Sequence, residues 1–290
     1  MNVLNCSYER ACTDYIRRPR KNEQDPFNMK TLTHLALLGI ALGSSSFMIE
    51  EKKKVAVVTC YVDKYMDTSE LNGDASFAAG VATLAKDERF DLTSVLAKFH
   101  DDFFTIHAKE FTFDLLPEAD VIGSEGYKNY VRKFGESDQV GTRLLDGSLP
   151  FPGYQVLVPN ALKKENSNKM RMLELFKGKA EGVMFINLGF KFQPKVAVGG
   201  MGTAGIAAVM NIMLFNSEGE KVFNFVEYAA AKKSIPMVKG VPILELEKIK
   251  PLCEEAAENL MKDMLEKMPK LNKKIDKKCC SAPHQKEAAP

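Results

Sequence analysis

Residues 182–193 read GVMFINLGFKFQ, and residues 206–228 read IAAVMNIMLFNSEGEKVFNFVEY. In the first stretch Met184, Ile186, Leu188, Phe190 and Phe192 recur at every second position, the period of a strand with one buried face. From Asn187 onward the alternate positions are Asn187, Gly189, Lys191 and Gln193, so the opposite face is expected to be wet there. The second stretch is apolar on both faces from Ile206 to Phe215. It then meets the turn sequence Asn216-Ser217-Glu218-Gly219 and returns as Lys221 to Tyr228, which is the pattern of an antiparallel hairpin.

Outward from this hairpin, Lys54 to Cys60 (KVAVVTC) is a short Val-rich run, as expected of an opening strand buried on both faces. Tyr61 to Asp74 reads as a polar loop. A helix is expected from Asp91, because Leu92, Val95, Leu96, Phe99, Phe103 and Ile106 step by three and four and Asp91 is a good N-cap. Thr112 to Ile122 reads as extended with a turn at Pro117, Ser124 to Phe134 as a short helix, and Tyr154 to Val158 as a strand. Ser167 to Phe176 reads as a helix, and Leu246 to Met268 as a long amphipathic helix ended by Pro269. The expected class is therefore α/β (α+β). It would be a mixed sheet in two or three layers with flanking helices, a C-terminal hairpin and a long C-terminal helix. One domain is expected over 47–270, with an insert at 111–152 and a mobile tail over 271–290.

The chain has 290 residues, 45% of them hydrophobic and 27% charged, with six Cys and no Trp. That is enough apolar material for a core, and it excludes disordered, collagen-like, coiled-coil and disulfide-dense classes. The net charge of +2 is unevenly spread: residues 1–46 carry Arg10, Arg17, Arg18, Arg20, Lys21 and Lys30 against Glu9, Asp14, Glu23 and Asp25, leaving 34 charges of each sign elsewhere. A neutral body gives no electrostatic reason to expect nucleic acid or an anionic membrane surface as partner.

From Met29 the chain runs MKTLTHLALLGIALGSSSFM. A basic start at Lys30, an apolar core from Leu35 to Gly43 and the small residues Ser44 to Ser46 make the layout of a secretory signal peptide over 29–46. The apolar core is about half of the ~20 residues a spanning helix needs. A cleaved signal and a periplasmic or secreted location are expected, without a permanent membrane span. Residues 1–28 would be an unusually long lead, so Met29 is the expected start. No Cys follows the signal to accept a lipid, and Arg17-Arg18 lies too far from the apolar core for a twin-arginine signal. Beyond Cys6 and Cys12, Cys60 and Cys253 sit in apolar patterns as small core residues, and Cys279-Cys280 stand in the tail. Those spacings build neither a zinc site nor a disulfide framework.

Several residues carry the expectation of a family. KVAVV at the start of the body, GYQVLVP at 153–159, AEGVMFINL at 180–188 and the hairpin LFNSEGEKVF at 214–223 succeed one another in an order that resembles the bacterial envelope domains typified by the N-terminal domain of TolB. The related CsgG and LpoB proteins share that α/β plan. The resemblance covers roughly residues 52–268. It implies a non-enzymatic envelope protein that binds other proteins, sometimes as an oligomer. This chain departs from it in having no Cys placed to bear a lipid and in the insert, and no propeller is expected after the domain.

Three motifs bear on chemistry. Gly200 to Gly205 (GMGTAG) matches a dinucleotide fingerprint, but Ile206 to Phe215, next in the chain, has strand period and is not the helix whose N-terminus would hold a pyrophosphate. A flexible connection between strands is therefore expected. His100 and His107 are seven residues apart, about 10 Å along a helix, too far to chelate one ion together. His34 lies in the signal and His284 in the tail, so no further body His completes a triad. The loop 61–74 places Asp63, Asp67, Glu70 and Asp74 among Tyr61, Lys64 and Tyr65 at the carboxyl end of the first strand, where open α/β sheets take ligands. Tyr61, Asp63 and Asp67 are accordingly the candidate ligand residues. No catalytic residue, metal ligand or cofactor is assigned. The leading expectation is an exported protein acting by contact with an envelope protein, with self-association through strand edges or the hairpin as one route. The rival is a small-molecule- or metal-binding enzyme using the acidic loop and His100.

Overall fold

A computed structural model of the chain describes residues 52–71, 75–133, 146–159, 166–199 and 201–279. The expected start and signal, Asp74, Gly200, Cys280 and the end of the tail lie outside the described residues. The described residues fall in one compact unit, Glu51–Pro290.

The strands are β1 Lys54–Asp63, β2 Asp114–Leu115, β3 Ser148–Pro150, β4 Gly182–Val198, β5 Met201–Asn216, β6 Lys221–Ala230, β7 Ile235–Val238 and β8 Val241–Pro242. They form one mixed sheet. β1 and β4 run parallel from Val55 opposite Gly182 to Val62 opposite Leu188. β4 and β5 form a long antiparallel hairpin, from Gly182 opposite Asn216 to Val198 opposite Met201. The free side of β5 is shared. β6 takes the stretch Ala207 to Phe215, and β7 takes Met201 to Ala204.

Alternation then sorts the side chains. Met184, Ile186, Leu188, Phe190 and Phe192 face the larger core with Ile206, Met210, Ile212 and Leu214. That face is covered by α1 Ala75–Lys86, α2 Thr93–Thr105 and α6 Leu246–Cys279, which contribute Phe77, Val81, Phe99, Phe103, Ile249, Leu260 and Met264. Val183, Phe185 and Phe215 face the other way with Ala56 and Val58. They lie beneath α3 Glu118–Ile122, α4 Glu125–Lys128 and α5 Asn168–Leu175, through Val121, Tyr127 and Met172. The fold is thus α/β with three layers, in which the third layer spans only part of its sheet face.

Several local expectations are corrected. Pro269 does not end the last helix, which runs on to Cys279. Leu271 and Ile275, placed in a mobile tail by the sequence, are buried. Burying two such side chains is worth about 3–6 kcal/mol, which offsets the ~3 kcal/mol cost of an interior proline. Pro117 is the N-cap of a helix instead of turning an extended chain, a position where its missing N–H removes no intrahelical hydrogen bond. The helix expected over 124–134 is limited to Glu125–Lys128, with Ser124 as its N-cap.

Tyr154 to Val158 is buried beside β1 but joins no ladder. β1 shifts register between Val57 and Thr59. The Tyr127 hydroxyl donates to the Val58 carbonyl at 2.9 Å and accepts from the Gln155 N–H at 2.8 Å. Thr59 Oγ1 donates to the Gln155 carbonyl at 2.6 Å and accepts from the Leu157 N–H at 3.2 Å. Two hydroxyls therefore take the backbone groups that a strand partner would have taken.

The outer edge of β6 is covered from α6. The Tyr228 N–H donates to Glu227 Oε1 at 3.2 Å, and Lys267 Nζ donates to the same oxygen at 2.6 Å. Asn259 donates to the Ala230 carbonyl at 3.0 Å, and Glu255 accepts the Lys232 N–H at 3.0 Å. An inward-pointing charge together with side-chain caps is a recognised way of blunting a strand edge.

Candidate functional site

The three residues singled out from the acidic loop fall along one edge of the sheet. Tyr61 is still within β1, and its side chain is buried. Burial, and then the charge of Asp63, pushes its phenol well above the ordinary tyrosine range. Asp63 accepts the Tyr65 N–H at 2.8 Å. Asp67 accepts both the N–H and the hydroxyl of Ser69, at 2.9 and 3.0 Å. The loop is stitched onto β4 where β1 stops, because the Asp67 N–H donates to the Phe190 carbonyl at 2.8 Å and the Phe192 N–H donates to the Asp67 carbonyl at 2.9 Å. The carboxylates of Asp63 and Asp67 thus close their own turns, as Asx motifs do.

What this edge does assemble is a patch on the uncovered part of the sheet. Tyr61, Asn187, Asn211 and Val226 stand in one row across β1, β4, β5 and β6. Gly189, Val209 and Tyr228 form the next row, and Lys191, Ala207 and Ala230 the one after. Because Gly189 and Ala207 are small, Lys191 has room to lie across the face. Its ammonium sits 2.6 Å from Glu70 Oε1 and 4.6 Å from the centre of the Tyr228 ring. Val226 and Tyr228 are 52% and 57% exposed, whereas Asn211 Oδ1 is buried without a hydrogen-bond partner among the described residues. The wet face expected from Asn187 onward is therefore real. Its aromatic and charged members, Tyr228 and Glu70, come from segments that a reading of β4 alone does not bring to it.

The two body histidines lie elsewhere and apart. His100 Nε2 donates to Glu118 Oε1 at 2.7 Å, and the Tyr154 hydroxyl donates to the same oxygen at 2.8 Å. The imidazole stacks on Phe151 with centroids 3.5 Å apart and planes 4° from parallel. Burial acts to raise the Glu118 carboxyl, but the two hydrogen bonds and the neighbouring imidazole outweigh it, so the group is held below the ordinary glutamate range. His107 is buried, with one ring nitrogen 2.9 Å from the Asp102 carbonyl and the other 2.9 Å from the Met261 carbonyl. Each histidine ties helices together. Cys60 and Cys253 are buried thiols pushed far above the ordinary range by burial, first of all, the opposite of a reactive cysteine. Among the described residues no group of three or more His, Cys, Asp and Glu is placed to hold a metal ion.

The glycine-rich motif lies in regular structure from Met201 on, since β5 begins there. Its last glycine has a packing reason. Lys195, beside the register shift of β4, crosses β5 and donates to the carbonyls of Ala231, Lys232 and Lys233 at 2.8, 2.7 and 2.9 Å. A Cβ at Gly205 would stand 2.6 Å from Lys195 Cε. A concavity of about 850 Å³ lies far from this motif, lined by Lys52, Lys54, Lys177 and Lys179 together with Glu174, Glu181 and Ser217. Among the described residues no helix is long and apolar enough to cross a membrane.

No protein-family model matches the chain, and no curated protein matches it. Among solved structures, the hypothetical protein CT253 from Chlamydia trachomatis aligns at 8% identity and a TM-score of 0.32, over 77% of this chain and 98% of that one. Lipoprotein GNA1162 from Neisseria meningitidis aligns at 9% identity and a TM-score of 0.23, over 63% of this chain and 83% of that one. Similarity at this level carries no argument about activity.

Proposed function

We propose that the chain is an exported, non-enzymatic protein of the cell envelope, of the TolB N-terminal kind, that works by contact with another protein. The patch around Lys191, Val226 and Tyr228 is the contact surface in this reading. The observation that carries it is an exposed Tyr beside an exposed Val on a rigid sheet, with a charge pair along one side. Tyr and a desolvated apolar centre dominate binding energy at protein interfaces. The dispersal of the acidic loop and the two histidines supports contact over catalysis, because no nucleophile or base among them is aimed at a shared space.

Affinity capture from the native envelope tests this reading, with the parent chain and the Val226→Asp and Tyr228→Ala variants as baits. A partner retained by the parent and lost from both variants is the expected result. Equal recovery on all three baits would refute the surface. Mass spectrometry of the mature N-terminus tests export separately, and an intact Met1 in the native protein would refute it.

A further inference from the structure

The neutral charge of the body conceals a local segregation. Residues 193–206 and 229–244 contain Lys195, Lys232, Lys233 and Lys239 and no Asp or Glu. These two segments make one end of the sheet, because Met201 to Ala204 pair with Val238 to Ile235. Lys232, Lys233 and Lys239 are exposed, and their ammonium groups form no ion pair among the described residues. The carboxylate of Glu255 is engaged with the Lys232 backbone N–H, and Glu245, just past the segment, is paired with Lys248 at 2.7 Å.

The same end carries an apolar row. Val198, Met201 and Val238 are direct partners across β4, β5 and β7 and so share a face. They are 76%, 68% and 47% exposed, and Val196, next along the same face, is 59% exposed. The β4–β5 connection beyond the row is short and glycine-built, with Gly199 at φ 59°. Ile235 lies three residues from the row, about 10 Å back along the strand, and Lys232 and Lys233 precede it. Lys239 follows Val238 at the row itself. An apolar tip with Lys232 and Lys233 set back from it complements a membrane interface, where acyl chains lie below anionic headgroups.

We propose that this tip docks on a bilayer containing anionic phospholipid. Val198, Met201 and Val238 enter the boundary between headgroups and acyl chains, while Lys232 and Lys233 lie among the phosphates and Lys239, next to Val238, extends its stem back toward them. A soluble polyanion would match the lysines, but it would leave the exposed apolar row without a role.

The absence of Trp from the chain provides a clean reporter. The full chain carrying Met201→Trp is titrated with phosphatidylglycerol–phosphatidylethanolamine vesicles and with phosphatidylcholine vesicles. A second chain carries Val131→Trp at an exposed site outside the tip. The expected result is a blue shift of the Met201→Trp emission with anionic vesicles only, reversed by salt, and no shift at residue 131. Each lysine near the surface contributes about a fivefold factor, so adding Lys232→Gln, Lys233→Gln and Lys239→Gln together lowers vesicle affinity about a hundredfold. Adhesion through the apolar segment at 35–43 would leave the tip reporter unshifted and so overturn the proposal. Equal shifts with phosphatidylcholine would also overturn it, as would a response to single-stranded DNA with none to vesicles.

Discussion

Gly205→Ala tests the reason given for the last glycine of the motif. The substitution brings a methyl group to 2.6 Å from Lys195 Cε, so the lysine must leave the carbonyls of Ala231, Lys232 and Lys233. Hydrogen bonds from a charged donor are worth about 1.5–3 kcal/mol each when buried. Lys195 is exposed, and solvent competition reduces the three together to about 2 kcal/mol. Against this, Ala in a strand gains about 0.5–1 kcal/mol over Gly through the entropy of the unfolded chain. The net expectation is a loss of about 1 kcal/mol in the parent background. With Lys195→Ala already in place the clash and the hydrogen bonds are both gone, so Gly205→Ala should stabilise by about 0.5–1 kcal/mol. Urea unfolding monitored by circular dichroism on the four members of the cycle measures this sign reversal. If the two substitutions add independently, the packing explanation for Gly205 is wrong.

Three other contacts make further outcomes measurable. Tyr127→Phe removes the donor to the buried Val58 carbonyl and the acceptor for the half-buried Gln155 N–H, and should cost about 2 kcal/mol in denaturant unfolding. Truncation after Met268 removes the buried Leu271 and Ile275 and should lower stability by about 3 kcal/mol or more. No measurable change would restore Pro269 as the end of the ordered helix. Because Glu118 titrates lower in the folded chain than in the unfolded one, its contribution is present above the ordinary glutamate range and is lost as pH falls through the folded value. Stability measured from neutral to acid pH should therefore fall less steeply for Glu118→Gln than for the parent.

The sheet was legible where alternation was long. Met184 to Phe192 announced a one-sided strand, and Asn216 to Gly219 located the turn before β6, because period and turn chemistry are local properties. The failures came where distant groups decided the outcome. Nothing near Tyr154 to Val158 indicates that hydroxyls from Thr59 and Tyr127 will replace a ladder. Nothing near Pro269 indicates that Leu271 and Ile275 will still find a core. Of the candidate site, Tyr61, Asp63 and Asp67 were read from a single loop, where Tyr61 is buried and the two carboxylates close their own turns. Lys191, Glu70 and Tyr228 meet only through the pairing of β4 with β5 and of β5 with β6. The charge count was misleading for a related reason, since a sum over the chain cannot reveal which lysines lie at the same end of a sheet.

The cover that α6 places over β6 makes the last helix a guardian of solubility. Glu227, held in place by Lys267, and Asn259 occupy the Tyr228 N–H and the Ala230 carbonyl, groups that would otherwise be offered to any extended chain nearby. Damage far along α6, from proteolysis or a substitution near Lys267, would then be felt less as a smaller unfolding energy than as stickiness, with molecules adhering edge to edge while most of the sheet is still native. Selection on those helix positions would act through the amount of protein remaining in solution.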